Sequence, residues 1–152
     1  MYQTLVVPCL GEVSPLKFNA LLSCLAGLAF FSAWWLLIGL LSDNLLCYQE
    51  FFPALFSSMA LVLINIIPTS LILEPQLHYT TKCGILMSRT CLFIGFMIAF
   101  GALIGASYIL INNYLLDKAE LNKWPGWSVF LQNLLIFSAT LLLRSRKSLE
   151  YF

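Results

Sequence analysis

The sequence predicts an all-α membrane protein, a four-transmembrane-helix bundle with short loops and both termini cytosolic. Three observations lead there. Of 152 residues, 61% are hydrophobic and only 10% charged, whereas an ordinary soluble domain carries about 25% charged residues. The few charges leave four charge-free runs, 18–42, 51–73, 90–116 and 124–143, of 25, 23, 27 and 20 residues. A helix rises 1.5 Å per residue, so about 20 apolar residues cross a bilayer core about 30 Å thick. Finally, Lys and Arg are unevenly spread: six fall in the two tails and the middle connection, and two in the other connections. The positive-inside rule then puts both ends in the cytosol.

The domain organisation follows from the same charges. Residues 1–17 form an N-terminal cytosolic tail, 18–147 the four-helix membrane domain and 148–152 a C-terminal tail. Connections of 8, 16 and 7 residues leave no room for a sizeable extramembrane domain. A β-barrel is excluded because its strands alternate in polarity, and Leu61-Val62-Leu63-Ile64 and Leu134-Leu135-Ile136-Phe137 do not. The first run is far longer than the 7–15 apolar residues of a signal peptide, and no small-residue cleavage site follows it, so it reads as a retained helix.

Taken in order, each helix carries one feature beyond its hydrophobicity. Helix one has Trp34-Trp35 past its midpoint, deeper than an interfacial belt requires, and the pair is expected against a glycine face of helix three. Helix two holds Asn65 near its middle, with Pro68 one turn on. The proline is expected to kink the helix and free a backbone carbonyl for a neighbouring amide. Helix three follows Arg89 and carries Gly95, Gly101 and Gly105 among Ala99, Ala102 and Ala106. Small residues let helix backbones approach closely in lipid, either within the bundle or against a partner. Tyr114, Trp124 and Trp127 bracket the third connection as an aromatic belt on the lumenal side. Helix four centres on Gln132 and Asn133 and ends at Arg144, Arg146 and Lys147, a basic anchor beside anionic lipid.

These features constrain function. Ionisable groups at membrane depth are the usual mark of pumps and intramembrane enzymes, and no charge lies inside the four runs. The single histidine, His78, falls in the middle connection, and Asp43, Glu50, Asp117 and Glu120 read as solvated loop charges. Neither catalytic residues nor a cofactor or metal site is expected, so the chain is read as no enzyme. Its net charge of +1 argues against nucleic acid as a partner. Of the five cysteines only Cys47 falls on the proposed lumenal side; Cys9 and Cys83 face the cytosol, and Cys24 and Cys91 lie in spans, so no lumenal disulfide forms within the chain. What remains is Asn65, Gln132 and Asn133. An amide without a partner in hydrocarbon costs several kcal/mol, so these three are expected to bond across helices, as an internal clasp or as a site offered to a partner's helix.

Two stretches, Leu25-Ala26-Gly27-Leu28-Ala29-Phe30-Phe31-Ser32-Ala33-Trp34-Trp35 in helix one and Arg89-Thr90-Cys91-Leu92-Phe93-Ile94-Gly95-Phe96-Met97-Ile98-Ala99-Phe100-Gly101 in helix three, resemble the transmembrane protein 50 family. Trp124-Pro125-Gly126 and Phe130-Leu131-Gln132-Asn133 in helix four are similar to its aromatic-Pro-Gly and Phe-x-Gln-Asn signatures, and Asn65 falls where the family tends to have asparagine. The likeness covers roughly 20–147, in one order and with similar spacing. It implies a non-enzymatic protein of endoplasmic reticulum, Golgi and endosome or vacuole membranes. The implied role is endosomal or vacuolar protein sorting together with another small multi-pass protein, of the leptin-receptor-overlapping-transcript type. Two departures stand out. The family's acid shortly after the tryptophan pair is here Gly39, and neither the segment before Lys17 nor the middle connection matches. The residues alone equally fit a structural accessory subunit of a larger organellar membrane complex.

Overall fold

The computed structural model describes residues 15–45, 48–68, 82–116 and 122–149. Among them the regular structure is all helical: α1 (Pro15–Ser42), a 3₁₀ turn (Tyr48–Glu50) leading into α2 (Phe51–Ile66), α3 (Lys82–Ile109) continued by a π-helical segment (Leu110–Leu115), and α4 (Trp124–Leu149). Four stretches are long and apolar enough to cross a membrane, Lys17–Ser42, Tyr48–Ile66, Gly84–Leu115 and Trp124–Arg146.

Local chemistry sets the helix ends. Pro15 opens α1, where a missing N–H costs nothing because the first turn has no acceptor for it. Asn44 closes α1 with φ of 53°. Its N–H donates to Leu41 O and that of Leu45 to Leu40 O (3.2 and 3.1 Å), the paired bonds of a Schellman cap. At the start of α4 the Asn122 side chain accepts the Trp124 N–H at 3.2 Å, and Pro125 sits harmlessly in the first turn.

Three helix limits differ from the charge-free runs by more than a turn, and α1 begins three residues before its run, at Pro15. Instead of kinking at Pro68, α2 stops at Ile66, and Ile67 is already extended (φ −76°, ψ 121°), as the residue before a proline prefers. The rest of that run, 69–73, lies outside the described residues. Helix α3 begins at Lys82 rather than 90, and α4 runs on to Leu149 rather than 143. Long basic side chains at a helix end reach the interface and do not halt the helix.

Helix α4 is the axis of the bundle. It packs on α1 along one side and on α2 and α3 along the other; α2 and α3 pack on each other, whereas α1 rests chiefly on α4. Gly126, Val129, Asn133, Ile136 and Thr140 lie at helical spacing along the buried side of α4. One apolar cluster joins Leu40, Ala106 and Val129 from α1, α3 and α4. A second holds Ala60, Ile64 and Ala99, with Phe96 and Phe137 packed against it. The small residues are what bring the axes together, since lipid tails are as apolar as leucine and no hydrophobic force favours the inside. Several hydroxyls bond to carbonyls of their own helix one turn back, as Ser58 does to Ala54 and Thr140 to Ile136 (2.9 and 2.8 Å).

Candidate functional site

Polar chemistry in the bundle falls at three levels. At mid-depth, Ser57 Oγ on α2 donates to Asn133 Oδ1 on α4. Asn133 Nδ2 donates in turn to Val129 O at 2.9 Å and to Gln132 Oε1 at 3.2 Å. All three side chains are buried, Gln132 and Asn133 completely. The expected clasp is therefore built around Asn133, with Ser57 as a member that the sequence reading passed over, because a serine in an apolar run carries no signal of which face it occupies. Gln132 takes part through its neighbour, and its Nε2 has no protein partner among the described residues, nor has Ser128 Oγ. Asn65 does not join this cluster. It lies eight residues further along α2, roughly 12 Å at the helical rise, and its Nδ2 donates to Leu61 O of its own helix at 3.0 Å. Gln132 and Asn133 are both wholly buried among the helices of this chain.

At the end where the chain's first and last helical turns meet, Arg144 Nη1 donates to Ile67 O at 3.0 Å and Ile64 O at 3.4 Å. The second carbonyl is the one that Pro68 orphans, since the proline has no N–H to return to residue 64. A guanidinium thus satisfies the freed carbonyl, where an amide was expected. Arg146 Nη1 donates to Ser23 Oγ on α1 at 2.8 Å. Both arginines, read from the sequence as topology anchors, are also ties between helices. Arg89 is exposed on α3, and the side chain of Lys147 lies outside the described residues.

At the opposite end Glu50 corrects the reading of it as a solvated loop charge. It is 1% exposed, at the N-cap of α2, and its Oε1 accepts a hydrogen bond from the Tyr114 hydroxyl. A carboxyl group at a helix N-terminus is favoured by the exposed N–H groups there. Tyr114 is accordingly buried and not part of an aromatic belt. Trp124 and Trp127 are exposed as expected, joined at that end by Tyr48 and Tyr108. The tyrosine ring lies over Gly126, where a Cβ would come within 2.5 Å of Tyr114 Cδ2 and 2.7 Å of its Cγ. The glycine of the aromatic-Pro-Gly signature is required by this ring. Asp43 is exposed; Asp117, Glu120 and His78 lie outside the described residues, as do Cys9 and Cys47. Cys24 and Cys91 are free thiols.

The glycines of α3 divide between two faces. Gly95 is buried, with Ile64 Cγ1 only 2.7 Å from where a Cβ would stand. Ala99, Ala102 and Ala106 continue its stripe and are buried too. Gly101 and Gly105 have nothing within 4 Å of a Cβ position. One residue is 100° of helix rotation, so these two point away from the alanines that follow them. The tryptophan pair does not cover them. Trp34 is half-buried beside Phe30 (ring centroids 6.5 Å apart), and Trp35 is 76% exposed on the outside of α1. Gly101 thus stands open on an outer face among exposed Met97, Ile104 and Tyr108.

Comparison with known proteins agrees with this architecture. No solved structure matches the chain. A protein described as "Transmembrane protein 50 homolog" from Dictyostelium discoideum is 29% identical over 140 residues, covering 83% of this chain and 88% of the relative. The model of the uncharacterised protein family UPF0220 matches residues 13–151, nearly the whole length and all four helices. This chain belongs to that family, the transmembrane protein 50 family.

Proposed function

We propose that this protein is a non-enzymatic, four-pass component of endomembranes that supports endosomal or vacuolar protein sorting by assembling with another small multi-pass membrane protein. Both termini face the cytosol in this reading. Lys17, Arg89, Arg144 and Arg146 gather at one end of the bundle, against Asp43, Glu50 and Lys123 at the other, and the basic end is the cytosolic one by the positive-inside rule. A partner of the leptin-receptor-overlapping-transcript type is the one the family resemblance implies.

The observation that carries the proposal is the division of α3. Its buried stripe is used up within the bundle, while Gly101 and Gly105 form an uncovered notch on the outside. Paired small residues one turn apart are how membrane helices approach a neighbour closely. The polar groups support the same reading from the other side: Ser57, Gln132, Asn133 and Glu50 are turned inward, which leaves packing rather than polar chemistry as the means of association. Purification of the tagged chain in a gentle detergent, followed by mass spectrometry, tests it. The expected result is stoichiometric recovery of a second small multi-pass protein. Recovery of the chain alone contradicts assembly, and co-purification with respiratory-chain subunits supports the accessory-subunit reading instead.

A further inference from the structure

The end of α3 departs from regular α-helix. From Leu110 to Leu115 the helix widens into a π segment, and Leu116 N–H donates to Ile111 O, five residues back, at 2.9 Å. Such segments are rare, occur mostly as single widened turns and concentrate at functional positions. A widened turn holds one residue more than the α turn it replaces, and one residue is 100° of α rotation. The side chains beyond it therefore point where an unbroken α-helix would not send them. Tyr114 is placed by this change. Its hydroxyl reaches the buried Glu50 carboxyl across 64 residues of sequence, and its ring and the Leu110 side chain close on Gly126. Asn112, close by, is exposed, and its Nδ2 makes a long 3.4 Å contact to the adjacent Asn113.

We propose that Leu110–Leu115 is a two-state element, latched in its π state by the Tyr114–Glu50 hydrogen bond on the Gly126 seat. When the latch is lost the segment rewinds as α-helix and turns the end of α3 about its own axis. The surface that this end presents beside Trp124 and Trp127 changes with it, while the mid-depth clasp at Asn133 stays closed. The device is independent of what the protein assembles with.

Pulsed electron spin resonance on the full chain in nanodiscs tests the latch, with nitroxides at Leu116→Cys and Asp43→Cys after replacing the five native cysteines by serine. A 100° turn at the 5–6 Å radius of a helix surface moves a side chain by about 8 Å. The unlatched Tyr114→Phe variant is expected to show a second resolved distance at unchanged helix content, and Glu50→Gln a smaller share of it. Deleting Asn113 removes the extra residue, so Tyr114→Phe in that background is expected to return to a single distance. One unmoved distance in Tyr114→Phe overturns the proposal. So does a broad distribution with loss of helicity, which reports local melting, or a second distance that survives the deletion.

Discussion

Helices α4 and α1 are both long apolar spans, and they occupy opposite situations. Helix α4 touches every other helix, and α1 rests chiefly on α4. Their polar residues differ in the same sense. Helix α4 buries Ser128, Gln132, Asn133 and Thr140; in α1, Ser32 is exposed and satisfied by Ala29 O of its own helix at 3.1 Å. In water the inside of a protein is marked by hydrophobicity. In lipid the solvent is itself apolar, so the inside is marked by side chains that need a partner and by small ones that allow close approach. Exposed Leu28, Phe31 and Trp35 on α1 are at home against lipid tails.

The sharpest way to break this contrast is to disarm the centre of α4. Asn133→Leu removes the acceptor of Ser57 and the donor to Gln132 together, leaving two buried polar groups at about 1–3 kcal/mol each. A stability loss of about 2–4 kcal/mol is expected in reversible detergent unfolding. Pairing it with Ser57→Ala in a double-mutant cycle isolates a coupling of about 0.6–2 kcal/mol for the cross-helix bond. Next comes Arg144→Ala, which strips the carbonyls that Pro68 and the end of α2 leave open; a charged hydrogen bond contributes about 1.5–3 kcal/mol, so a loss near 2 kcal/mol is expected, and Arg144→Lys should recover only part of it because a single ammonium replaces a fork.

Glycine substitutions in α3 sharpen the comparison at smaller amplitude. Gly95→Ala pushes a methyl into Ile64, with about 1–3 kcal/mol of overpacking expected and relief when Ile64→Val is added. Gly101→Ala and Gly105→Ala meet open space and replace a poor helix former by the best one, so stability should hold or rise by up to about 1 kcal/mol each. The smallest effect belongs to α1: Trp35→Leu, on the lipid face, should change stability by no more than about 0.5 kcal/mol. A large loss there would show that α1 packs on more than α4.

Much of this arrangement can be read from the chain alone. The spacing of charges marks four spans, and the paired amides at the middle of α4 mark it as a helix that needs a polar partner. Its limits have physical causes. Gly101 and Gly105 satisfy a spacing rule that identifies a shared face without saying which way the face looks, and only the positions of α2 and α4 show that Gly95 and the alanines look inward. Glu50 reads as a loop charge because it borders an apolar run, and its burial depends on Tyr114, which follows it by 64 residues and arrives only through a π turn. Pro68 overturns a length argument: the apolar run continues, but the ring denies Ile64 its hydrogen bond and the helix ends, with Arg144 from α4, two helices further on, completing it. Each of these is a long-range pairing, to which local periodicity is blind.

The account rests most heavily on the separation between an inward polar clasp and an outward small-residue notch, and one measurement addresses both at once. Partner recovery and thermal stability are compared for the wild type, for the double variant Gly101→Ile/Gly105→Ile and for Ser57→Ala. The notch variant is expected to lose the co-purifying membrane protein at least tenfold with its stability unchanged, and the clasp variant to lose stability while retaining the partner at temperatures where it is folded. Full partner recovery by a well-folded notch variant would contradict the account.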